Sequence, residues 1–375
     1  MRVDCMNKVY FTESDKKMLE RLDKELREVF KIGDRIAVKL HMGEVYNPNH
    51  ISPEFVKKIV ALLKKIGAEP FLFDSPTVYG GPRHTSIGYK AQAAVLGFRE
   101  GNVGCPVVVS DEYVVVKGKH MSYQVCNPLA DADGVLVLSH FKGHACASMG
   151  GAIKNLGMGA LTKKSKGEIH EGGKPELKGK CGLCHECLEV CPQKCIKYDE
   201  SGPVFSYGSC YGCSKCMQNC PAKCLKPRIA EFDTLLADGA AAAQSVFKKF
   251  YYVNVLRRIT NVCDCSQKNV HIVCPDIGIV MGRDACAVDS ASVDLVNKRM
   301  GKDLFLELWH KDPKTQIAAA EELGMGKAEY EMEEDWGILK KQEERKAEDR
   351  DRRDPKSRIH FSYPARERKQ RHKKR

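Results

Sequence analysis

The chain has 375 residues, 43% hydrophobic and 29% charged, a globular composition long enough for two or three domains. Its net charge of +12 suggests a nucleic-acid partner only until it is located: residues 341–375 hold 15 Lys and Arg against 7 Asp and Glu, a net +8 that leaves +4 elsewhere. The opening MRVDCMNKVYFTESDKK lacks the apolar centre of a secretory leader, and no run approaches the roughly 18 uncharged apolar residues of a membrane helix, so a cytoplasmic protein without a membrane partner is expected.

A helix is expected over 13–30, where Met18, Leu19, Leu22, Leu26, Val29 and Phe30 recur at helical spacing, and a strand follows in RIAVKL at 35–40. Ser52 as N-cap, Pro53 in the first turn and Gly67 past the last turn bracket a second helix with Phe55, Val56, Ile59, Val60, Leu62, Leu63 and Ile66. PFLF at 70–73, PVVVS at 106–110 and GVLVL at 134–138 read as buried strands, with a helix at 86–96 stopped by Gly97. Beyond residue 228 come YVNVL (252–256), VHIV (270–273), IGIVM (277–281) and a helix from about 284 to 300, with Asp284 as its N-cap and Asp289 on a polar face. This alternation predicts an α/β fold with a mostly parallel sheet and flanking helices. The expected divisions are a first half at 1–172, a small cysteine module at 173–228, a second half at 229–325 and a charged tail at 326–375. The tail has too little apolar periodicity to offset its ordering entropy, so it is expected to be disordered, and it is the one place where nucleic acid could bind.

Eighteen cysteines without a secretory signal point to metal rather than to a disulfide framework, and ten of them fall between Cys181 and Cys224. CGLCHECLEVCPQKC (181–195) and CYGCSKCMQNCPAKC (210–224) repeat C-x2-C-x2-C-x3-C-P at an offset of 29, the run that binds 4Fe-4S clusters in two-cluster ferredoxins. In such runs the fourth cysteine serves the other cluster. One cluster would use Cys181, Cys184, Cys187 and Cys220, the second Cys210, Cys213, Cys216 and Cys191. Cys195 and Cys224 read as buried neighbours. A pair of zinc knuckles fits less well, because zinc needs two separated pairs and not two matched sets of four.

In open α/β sheets ligands bind beyond the carboxyl ends of the strands. The loops expected there carry Lys39, His41 and Glu44, then Asp74 and Ser75, then Asp111, then His140, Lys142 and His144. The glycine-rich run after GVLVL, with Lys154 and Asn155 opening the next helix, reads as a cradle for an anionic substrate, with close packing as the alternative. His140 and His144 have a metal-ligand spacing only if a helix begins at once. Lys39, His41, Glu44, His140, Lys142, His144 and Lys154 are the candidates for substrate binding and proton delivery. Cys263 and Cys265, flanking Asp264, read as a third metal site or a redox-sensitive pair, with ordinary buried cysteines as the alternative.

VKLHMGE, SHFKGHACASMGGAIKNLGMG, VCDCSQK and PDIGIVMGRDACAVDSASVDLV closely resemble the domain of unknown function 362 family, over about residues 1–300. Its members are described as iron-sulfur centre proteins without a general assigned activity. The resemblance implies a ferredoxin-type module placed within an α/β body. GRDACAVD has Ala285 where the family often has proline, a change that a first helical turn tolerates. The expected function is an iron-sulfur oxidoreductase whose two 4Fe-4S clusters relay low-potential electrons from a redox partner protein or donor to a small-molecule substrate. The alternative is a non-catalytic electron carrier or cluster-bearing interaction protein. No G-x-G-x-x-G follows an early strand, and the C-x3-C-x2-C triplet is absent, so neither nicotinamide, flavin nor radical chemistry is supported.

Overall fold

The computed structural model describes residues 7–335. Eight strands share one sheet: β1 (Asn7–Thr12), β2 (Arg35–Lys39), β3 (Glu69–Asp74), β4 (Val107–Val109), β5 (Gly134–His140), β6 (Lys249–Leu256), β7 (Gly278–Gly282) and β8 (Tyr330–Asp335). Their order is β8-β1-β7-β6-β5-β2-β3-β4. From β6 to β4 every neighbour is parallel; β7 alone runs against both β6 and β1. The sheet is therefore mostly parallel, and β5 and β6 pair although the whole cysteine segment lies between them in sequence.

Every residue of β5 is buried, as expected of a parallel strand covered on both faces. Leu136 and Leu138 join Val253, Ile36 and Val38 against helices Asp15–Val29 and Pro53–Lys65, which contribute Leu22, Leu26, Val56 and Ile59. Helices Ala152–Gly159 and Ala285–Met300 cover the other face: each contacts β6, and Asn254 reaches Ser292 of the second. The helix boundaries follow local chemistry. Ser52 accepts from the amide of Phe55 at 3.2 Å, Asp284 accepts from Cys286 and Ala287 at 2.8 and 3.1 Å, and Gly301 closes its helix at φ 68°, where a side chain would be strained.

Two expectations are corrected, and the helix that a His140–His144 metal pair would require is not formed. The charged tail drawn over 326–375 begins later, because Tyr330–Asp335 is the edge strand β8, parallel to β1. Its acidic side chains meet cations of the first helix, with Lys17 on Asp335 at 2.6 Å and Arg21 on Glu333 at 3.3 Å. An edge strand needs few apolar residues, so it read as tail; residues 336–375, where the rest of that expectation falls, lie outside the described residues. The strand expected at 270–273 is Ile272–Cys274, which pairs with Ile259–Thr260 outside the main sheet. His140 and His144 share no helix, because the chain forms the hairpin Lys142–His144 with Ser148–Gly150. Among the described residues no helix is long and apolar enough to cross a membrane.

Candidate functional site

Parallel strands β2, β3, β5 and β6 end on one edge, and the loops beyond them bring together the candidates scattered through the sequence. Lys39, the last residue of β2, is fully buried, with Nζ 3.0 Å from Asp74 Oδ1 at the end of β3 and 2.7 Å from Asn155 Oδ1. Burial lowers the Lys39 pKa, which Asp74 opposes. Burial would raise that of Asp74, but Lys39, His41 and Lys166 hold it low, and the Tyr89 hydroxyl donates to its second oxygen at 2.5 Å. Asn155 is fixed in turn, donating to the Lys39 and Leu138 carbonyls at 3.2 and 3.1 Å.

A second cluster forms around Arg83, a residue without a sequence signal because nothing nearby in the chain explains its burial. Its Nε donates to Glu44 Oε2 at 2.8 Å, Nη1 meets His41 Nε2 at 2.7 Å and Nη2 donates to the Tyr79 hydroxyl at 2.8 Å. Burial and then the Arg83 charge push His41 well below the usual histidine range. Arg83 and the amide of Gly43, which donates to Nδ1 at 3.0 Å, both require an acceptor, and a neutral ring has only one.

The third cluster centres on Asp264, buried between the two part-exposed cysteines Cys263 and Cys265. His140 Nδ1 lies 2.7 Å from Oδ1 and Lys142 Nζ 2.9 Å from Oδ2. Burial opposes ionisation, yet His140 and Lys142 keep the carboxyl well below the usual range. The other His140 nitrogen faces the Arg257 carbonyl at 2.9 Å. Cys263 and Cys265 are joined by a disulfide, a closed pair that presents no thiolate.

The glycine-rich run answers the anion question unexpectedly. The amides that open helix Ala152–Gly159 are occupied from within: Ala152 and Ile153 donate to Asp289 at 2.7 and 3.0 Å, and Asn254 adds a third bond at 2.7 Å. Asp289 is thus a buried cap of another helix rather than part of a polar face. Burial raises its pKa to about 6 in spite of these donors. Gly151 is required there, since a Cβ would stand 2.2 Å from Asp289 Oδ1. His144 Nδ1 accepts from the amides of Cys146 and Ala147, each at 3.1 Å, and burial followed by the Lys154 charge holds its pKa low. Burial, then Lys142, brings Lys154 down to about 8. The open cavity on this edge, about 330 Å³, is lined by Glu44, Tyr79, Arg83, Cys265, Gln267 and Lys268 among others. Of the seven candidates only Glu44 reaches it; Lys39, His140 and Lys142 are held in ion pairs, His41 by Arg83 and His144 by backbone amides.

The cysteine segment folds with the symmetry of its sequence. Hairpin Ile196–Asp199 with Gly202–Phe205, and the pair Pro175–Leu177 with Leu225–Pro227, frame two short helices, Glu186–Glu189 and Lys215–Gln218. Positions 29 apart share left-handed backbone: Leu183 and Gly212 at φ 54° and 61°, His185 and Ser214 at 65°, Lys194 and Lys223 at 47° and 50°. The amides of Leu183 and Gly212 donate to Cys181 and Cys210 sulfurs, both at 3.4 Å. Cys191, from the first repeat, lines one cavity with Cys210, Cys213 and Cys216 of the second. Cys195 stands 3.6 Å from Cys191, and Cys224 the same distance from Cys220. Cys187 and Cys220 belong to the same buried cluster, with Cys181 packed against it, while Cys184 is exposed. Among the described residues no group of three or more His, Cys, Asp or Glu is arranged around a single ion. A cubane asks for something else, since it places each thiolate on its own iron. Lys311 ties this segment to the carboxyl edge, donating to the carbonyls of Cys213 at 2.9 Å and Cys146 at 2.8 Å and pairing with Asp233 at 2.5 Å.

An α/β protein with a doubled cysteine segment braced against the carboxyl edge of its sheet is the class that this arrangement defines. Within it, the chain belongs to the family described as Domain of unknown function (DUF362), which it matches over residues 36–294. No curated protein matches it. The lactate racemase apoprotein from Thermoanaerobacterium thermosaccharolyticum is similar at 12% identity and a TM-score of 0.33, over 66% of this chain and 50% of that one. A Thermotoga maritima protein is similar at 10% identity and a TM-score of 0.40, over 83% and 59%. The chain thus spans 50% and 59% of the lengths of these two structures, and at such scores neither likeness bears on its activity.

Proposed function

We propose that the protein is an iron-sulfur oxidoreductase that carries two 4Fe-4S clusters and passes electrons toward a ligand at the carboxyl edge. The observation that carries this reading is Cys191 sharing a cavity with Cys210, Cys213 and Cys216, the crossed set that the C-P repeats call for. Eight thiols in two related sets, with backbone N–H groups already directed at two of the sulfurs, suit an anionic cluster. Such clusters, when bound, supply one-electron transfer at low potential. The chain's own residues do the rest: Lys311 braces Cys213 against Cys146, next to His144 and Lys154, and the cations around Asp74 and Asp264 favour an anionic ligand. Low-potential electrons would come from a redox partner protein, in a cytoplasmic setting.

Protein prepared anaerobically is expected to hold about eight irons and eight acid-labile sulfides, as two cubanes require. One or two zinc ions without sulfide would overturn the reading. A non-catalytic electron carrier is the second reading, favoured by one observation: six of the seven candidate side chains do not line the open cavity. Turnover that survives Glu44→Gln and Lys154→Met alike, with iron content intact, would favour it.

A further inference from the structure

We infer that Cys263 and Cys265 form a thiol-disulfide exchange centre facing the carboxyl-edge cavity, with low-molecular-weight thiols and disulfides as its substrates. Every other described cysteine is a free thiol, so this one closed pair belongs to no disulfide framework. The loop it closes is too short to remove much entropy from the unfolded chain, and the bond adds little to stability. Reactivity is the remaining reason for it. Both cysteines are part exposed, whereas Asp264 between them is 1% exposed and anchored by His140 and Lys142. Arg83 holds the Cys265 carbonyl at 3.4 Å, Ser266 donates its amide to the Cys263 carbonyl at 3.0 Å, and Asn47 donates to the Ser266 carbonyl at 3.1 Å. The backbone is thereby fixed while Cys265 lines a cavity of about 330 Å³ with Lys268 on its wall, a cation that favours approach of an anionic thiolate.

A substrate thiolate attacks Cys265 Sγ, the Cys263–Cys265 bond breaks, and Cys263 leaves as a thiolate that takes a proton. A second thiolate attacks the substrate sulfur of the mixed disulfide, Cys265 leaves as a thiolate and is protonated, and the substrate departs as its disulfide. Two thiols are oxidised as one protein disulfide is reduced, and the reverse sequence consumes a disulfide.

The test uses the full chain in glutathione buffers of varied ratio, trapped with N-ethylmaleimide while folded, with the mass of the peptide bearing residues 263–265 as readout. The expected result is a single reversible two-electron transition from unlabelled to doubly labelled, and a glutathione adduct on Cys265 in Cys263→Ser. A pair that labels without any reductant, or stays closed at every ratio until the chain is denatured, would overturn the inference. So would a Cys263→Ser chain whose Cys265 takes no adduct. The readout does not depend on iron, so it stands or falls separately from the cluster reading.

Discussion

Replacing Gly151 by alanine tests whether the anion position of the glycine-rich run is filled from within. The new Cβ would lie 2.2 Å from Asp289 Oδ1 and 2.7 Å from Cγ, and this short, fully buried side chain can give way only by taking its carboxylate off the amides of Ala152 and Ile153. Hydrogen bonds to a charged group are worth about 1.5–3 kcal/mol each, and two are lost; allowing for partial replacement by water, the expected cost is about 3 kcal/mol. Gly167 supplies the control. It lies inside helix Lys163–Gly172 with nothing within 4 Å of its Cβ position, so Gly167→Ala should gain up to about 1 kcal/mol. Urea unfolding followed by circular dichroism measures both as midpoint shifts at constant slope. Asp289→Ala removes the same bonds, so the double variant should cost little more than either single one. A Gly151→Ala cost below about 1 kcal/mol, or costs that add in full, would refute the reasoning.

Arg83→Met leaves Glu44 buried with its main cation gone, and should destabilise by about 3–5 kcal/mol in the same unfolding assay, whereas a loss under about 1 kcal/mol would show that the pair is not buried in solution. Lys154, brought down to about 8 by burial, should react with an amine-directed reagent with a midpoint near that pH, well below exposed lysines; peptide-resolved labelling across pH 6–11 decides it, and a midpoint above about 10 contradicts the buried environment. Because a lysine lowered in the fold binds fewer protons than in the unfolded chain between its two pKa values, this group makes stability rise with pH from about 8 upward, and Lys154→Met should flatten that rise. Cys191→Ser should cost the cluster assigned to Cys210, Cys213 and Cys216, seen as loss of about half the iron; loss confined to the Cys181, Cys184 and Cys187 set would contradict the crossed assignment. Ending the chain after Glu329 strips β8 from β1 and should lower the unfolding midpoint measurably below that of a chain ending after Asp335.

The sequence by itself determined what depends on neighbours a few residues away. The helices begin at Ser52 and Asp284 and end at Gly301 because capping is a matter of three or four residues, and β5 was readable because both its faces are apolar. The two cysteine repeats were readable for the same reason: their spacing is local chemistry. The carboxyl edge was located in outline, since strand direction alone decides which loops meet there. Only the tertiary structure decided who partners whom. Lys39 meets Asp74 across 35 residues, His140 meets Asp264 across 124 and Asp289 caps a helix that begins 137 residues earlier. No periodicity encodes such pairs, because they are set by the order of strands in the sheet and by the low dielectric that makes an unpaired buried charge untenable. For the same reason Arg83 and the edge strand β8 went unread: burial of one and pairing of the other exist only once distant segments have closed around them.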